Sequence, residues 1–116
     1  MRNDRENIIV TRTFSFALKI IEYCEILEGQ RRYVLARQLL RSGTSIGANV
    51  REAQNAESKQ DFVHKFKIAA KEAEETEYWL DLCKASHLYP NPDSSVMNDL
   101  QDIMRIISKI ISSSKG

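Results

Sequence analysis

Asp61 and His64 stand three residues apart in a segment of helical periodicity, the spacing by which helix bundles present metal ligands to their interior. A carboxylate-bridged metal pair needs a second such carboxylate and histidine. The other histidine, His87, has Lys84 three positions before it, and that half of the site is missing. His64 also projects away from the stripe set by Phe62 and Phe66, so no metal is expected. The thiols Cys24 and Cys83 are isolated, with no CxxC spacing and no zinc pattern, and read as small core hydrophobes of a reducing compartment. No nucleophile, base and acid occur in a supporting motif, and no glycine-rich phosphate loop is present. The residues therefore predict no catalytic site, no cofactor and no enzyme.

The charges are more informative. Between Arg31 and Lys71 nine cations face three carboxylates, and between Glu72 and Asp102 eight carboxylates face Lys84 alone. A formal net charge of +1 thus hides a bipolar chain. Arg37, Arg41 and Arg51 fall together on the solvent side of one predicted helix, and Lys65, Lys67 and Lys71 follow on the next. Such a row can neutralise phosphates of RNA or DNA without reading bases. A solvated basic face, or ion pairs with the run from Glu72 to Asp81, is the competing reading.

These side chains must be positioned by helices. Apolar residues recur at helical spacing in four blocks, separated by breaks at 29–32, 55–58 and 89–92. The spacing predicts helices over about 11–27, 33–54, 58–86 and 93–113. Short connections make neighbours antiparallel, so the expected fold is all-α: an up-down-up-down four-helix bundle forming a single domain over 1–116. In the first helix Phe14, Ala17, Leu18, Ile21 and Cys24 are expected to face the core. The second buries Leu35, Leu39, Ile46, Val50 and Ala53. The third opens with Ser58 as N-cap and Asp61 three residues on, and buries Phe62, Phe66, Ala69, Ala73, Leu80 and Cys83. The fourth buries Val96, Leu100, Ile103, Ile107 and Ile110, flanked by Met97, Met104 and Ile111.

Two helices carry more apolar surface than one core needs. Phe16, Ile20, Tyr23 and Leu27 share a second flank of the first helix; Ile68, Trp79 and Leu82 share one of the third. Surplus stripes predict burial against other subunits. Gly43 and Gly47, mid-helix where glycine costs about 1 kcal/mol against alanine, predict close packing or a local break. Asn49 and Glu77, at the edges of their core stripes, are expected to meet in a buried polar contact. The charged start of the chain is not followed by a secretory apolar run, and no stretch approaches a membrane span. A cytoplasmic location without membrane contact is expected.

The segment Arg41-Ser42-Gly43-Thr44-Ser45-Ile46-Gly47-Ala48-Asn49-Val50-Arg51-Glu52-Ala53 resembles the bacterial 23S rRNA-intervening-sequence protein family. So do Ser58-Lys59-x-x-Phe62 and the run from Lys67 to Leu80. The resemblance spans roughly 14–88 and implies a four-helix bundle, with Ser45, Asn49, Glu52, Phe62 and Glu77 as architectural positions. The family is similar in turn to the accessory protein of diversity-generating retroelements, a five-membered ring that binds nucleic acid together with a reverse transcriptase. This implies a homopentamer, and RNA, DNA or a protein such as a reverse transcriptase as partners. The near-neutral charge departs from the basic retroelement protein, and Arg51 stands where the family commonly has alanine. The reading that results is a non-enzymatic oligomeric bundle that binds RNA or DNA through phosphate contacts. The alternative is a ring-shaped protein adaptor that binds no nucleic acid.

Overall fold

The computed structural model describes the backbone of residues 4–114 and the side chains of 8–114. Four helices follow one another: α1 (Asp4–Gly29), α2 (Tyr33–Ala53), α3 (Lys59–Ala85) and α4 (Ser94–Ser114). Each packs on two neighbours, α1 on α2 and α4, α3 on α2 and α4, giving an antiparallel up-down bundle 46 × 20 × 19 Å. The last three helices end within a residue of the sequence expectation. The first begins seven residues earlier than expected, because the β-branched run Ile8-Ile9-Val10 continues the helix and buries Ile9.

Local signals fix the ends. Arg31 takes a left-handed backbone (φ 64°), its N–H donating to the Glu28 carbonyl while that of Arg32 reaches the Leu27 carbonyl at 2.8 Å. This is the Schellman pattern that satisfies the free carbonyls at a helix C-terminus, here without the usual glycine. At the start of α3 the Asp61 N–H donates to the Ser58 hydroxyl at 3.0 Å, the cap that the sequence implies.

The seam of α1 corrects the sequence reading. Ile9, Thr13, Phe16, Ile20, Tyr23 and Leu27 are buried, whereas Phe14, Leu18 and Ile21 are 53%, 49% and 43% exposed. The two stripes are therefore exchanged: the flank expected to meet other subunits forms the chain's own core, and most of the expected core flank lies open. Only Cys24 of that expected set is buried, Ala17 being half-buried. The buried set alternates steps of four and three over five turns, the spacing that follows a neighbouring helix. The exposed set is three residues long.

The other stripes fall as the spacing predicts. Leu39, Ile46, Val50 and Ala53 of α2 are buried, with Leu35 half-buried and Ala36, Ser42 and Gly43 added to the seam. In α3, Phe66, Ala69, Ala73, Leu80 and Cys83 are buried and Phe62 half-buried, its ring centroid 4.9 Å from that of Phe66. All five expected positions of α4 are buried, and Met97, Met104 and Ile111 pack at its edge.

Helix α2 runs unbroken through Gly43 and Gly47, so both serve close approach rather than a kink. A Cβ on Gly43 would lie 2.9 Å from Cγ2 and 3.3 Å from Cβ of the fully buried Ile20. A branched side chain clamped in the core cannot yield cheaply, and overpacking costs about 1–3 kcal/mol against the roughly 1 kcal/mol of helix propensity gained. Gly43→Ala is expected to lower the urea midpoint. Gly47→Ala, whose Cβ would meet Thr13 at 3.2 Å, is expected to move it less.

Candidate interaction surfaces

The polar contact between α2 and α3 is made by residues the sequence reading passed over. The hydroxyls of Ser42 and Thr76, both fully buried, share a 2.9 Å hydrogen bond, and Thr76 also bonds the Glu72 carbonyl at 2.7 Å. The expected pairing of Asn49 with Glu77 does not form. Asn49 donates to the Ser45 carbonyl one turn back at 2.9 Å, and Glu77 faces the other way, accepting from Gln101 of α4. A helical wheel gives a residue's face but not its opposite number, which depends on the register between helices. The remaining architectural positions also act at the periphery. Ser45 donates to the Arg41 carbonyl at 2.6 Å, and Glu52 pairs with Lys65 at 3.0 Å.

The basic row is largely engaged within the chain. Arg41 donates to Glu72 at 3.1 Å and also to Glu75, whose carboxylate accepts the Trp79 indole N–H at 3.1 Å. The bond from Arg41 holds the Glu75 carboxyl below its usual range, and the same bond raises the guanidinium. The Lys65 ammonium is likewise raised by its hydrogen bond to Glu52. Arg51 lies over the Phe14 ring, 5.7 Å from its centroid, in cation–π contact. Of the six cations expected to meet phosphate, Arg37, Lys67 and Lys71 are exposed and carry no ion pair among the described residues. The structure thus joins three of the six to carboxylates or an aromatic ring. Lys67 and Lys71, one turn apart, remain as a short basic strip on the outer side of α3.

Apolar side chains make the larger open surfaces. Phe14, Leu18 and Ile21 form a stripe along α1, and Leu40 is exposed on α2, the neighbouring helix. Beside the stripe a groove of about 270 Å³ runs between the two helices, floored by Ala17, Gly47 and Ala48 and bounded by Phe14 and Arg51. A second strip lies on α3, where Tyr78 and Leu82 are 58% and 41% exposed. Of the three α3 residues expected at an interface, Leu82 is open. Ile68 and Trp79 are half-buried, Trp79 packing against the core.

Among the described residues no three histidines, cysteines or carboxylates come close enough to hold a metal ion. His64 is exposed, in an open cleft of about 710 Å³ with Lys59 and Lys67. Cys24 and Cys83 are buried free thiols. Burial pushes Cys24 up to about 12 and raises Cys83 as well, so neither is a thiolate at neutral pH. Tyr23, raised by the same burial, donates its hydroxyl to the Pro90 carbonyl and ties α1 to the loop before α4. Arg32, its guanidinium over the Tyr89 ring and bonded to the Leu88 carbonyl at 3.0 Å, ties the first turn to the same loop. Among the described residues no helix is long and apolar enough to cross a membrane.

A bundle of four antiparallel helices with small residues at the α1–α2 seam defines a class that comparison with known proteins makes specific. The family model of the 23S rRNA-intervening sequence protein matches residues 5–112, and the chain belongs to that family. The chain is also similar to a protein of unknown function from the S23 ribosomal protein family of Bacteroides thetaiotaomicron VPI-5482, whose crystal structure was determined at 1.70 Å. The two share 39% identity over 93% of this chain and 98% of the other, with a TM-score of 0.87. No curated protein matches. The matches carry no link to the retroelement accessory protein.

Proposed function

We propose that this protein is a non-enzymatic assembly module of the bacterial cytoplasm, built to associate with copies of itself. The observation that carries this reading is the exposed stripe Phe14, Leu18 and Ile21. A chain that already fills its core from one flank of α1 gains nothing within the monomer from three large apolar side chains on the other. Covering them against another subunit removes that surface from water. Five copies is the number that the resemblance to the retroelement accessory protein implies. Size-exclusion chromatography with light scattering tests the reading. The full chain is expected to elute as a multiple of 13.4 kDa and Leu18→Asp as a smaller species; equal masses for the two would set the stripe aside.

A second reading, in which the module also binds RNA or DNA, is supported by Lys67, Lys71 and Arg37, the members of the expected set that carry neither an ion pair nor a ring contact among the described residues. Phosphate contacts alone would make binding salt-dependent and weakly sequence-selective, with a slope in log K against log salt of about −0.9 per phosphate neutralised on duplex DNA. Since Arg41 and Arg51 are engaged, replacing Arg37, Arg41 and Arg51 together by glutamine is expected to reduce the slope by about 1. Lys67→Gln with Lys71→Gln is expected to reduce it by about 2. Fluorescence anisotropy with labelled structured RNA and duplex DNA, on protein freed of nucleic acid, measures both. Absence of binding at low salt leaves the adaptor reading, in which the ring serves a protein partner alone.

A further inference from the structure

We draw no further inference here: the strongest candidate, the open cleft where the start of α3 meets the end of α4, gathers Lys59, His64 and Lys67 at a helix N-terminus, but Asp61 lines it too, none of its lining residues is buried, and nothing in the structure shows what occupies it.

Discussion

Phe16→Ala is expected to cost about 3–5 kcal/mol of folding stability, and Phe14→Ala, two residues away, less than about 0.5 kcal/mol within the monomer. Phe16 is fully buried against the other helices, so truncation removes its transfer free energy and leaves a cavity in a seam that is close-packed on both sides. Phe14 is half in water and loses mainly its contact with Arg51. Because association adds to apparent stability by mass action, the pair should be compared by urea unfolding at several protein concentrations. The Phe16→Ala deficit is expected to persist on dilution, while any deficit of Phe14→Ala fades as the chains dissociate. Equal losses at all concentrations would mean that both flanks of α1 are core.

The second large effect concerns alkaline stability. Tyr23, Cys24 and Cys83 are all held protonated by burial, each above its ordinary value. In the unfolded chain they ionise near 9 for the thiols and 10 for the phenol. The stabilisation is therefore whole below those values and is lost as pH rises through the window between the unfolded and folded pKa. For Cys24, whose folded value is about 12, the window opens near pH 9. A proton released only on unfolding costs about 1.4 kcal/mol per pH unit, and Cys24 begins to draw stability down once the pH passes that point. Tyr23 adds its share above pH 10. The unfolding midpoint of the full chain is expected to fall steadily from pH 9 to 11, and that of Cys24→Ala less steeply from a lower starting point. A flat profile to pH 11 would show that the thiols are not sequestered.

How much of this was legible in the sequence depends on how many stripes each helix offered. Helix α4 has one, and every buried position on it follows from the spacing of Val96, Leu100, Ile103, Ile107 and Ile110. Helix α1 has two, and helical spacing alone does not say which of them turns inward. The distinguishing signal was the length of the pattern: the seam from Ile9 to Leu27 runs in steps of four and three through a threonine, whereas the stripe from Phe14 stops where Glu25 takes the next position. Thr13, Ser42 and Thr76 were passed over because they are polar, although their hydroxyls can be satisfied inside a helix bundle by the carbonyl one turn back.

The candidate surfaces were legible as residue types and only partly as neighbours. The acidic run was read as a competitor for the arginine row, and Arg41 does bind Glu72 and Glu75 within one chain. Which of the arginines would be taken up depended on the antiparallel register of α2 on α3, which sequence spacing does not carry. Arg51 instead reaches α1, where the ring it covers belongs to the stripe assigned to the wrong face. Gly43 was read for close packing, and the partner it admits, Ile20, was assigned to a subunit interface; correcting the rotation of α1 resolves both.

Sedimentation equilibrium of the unmodified full chain, from nanomolar to tens of micromolar at near-physiological salt, tests the central claim most directly. A mass several times 13.4 kDa that falls only on dilution is expected. A single 13.4 kDa species over the whole range would contradict it, and the open face of α1 would then need another occupant.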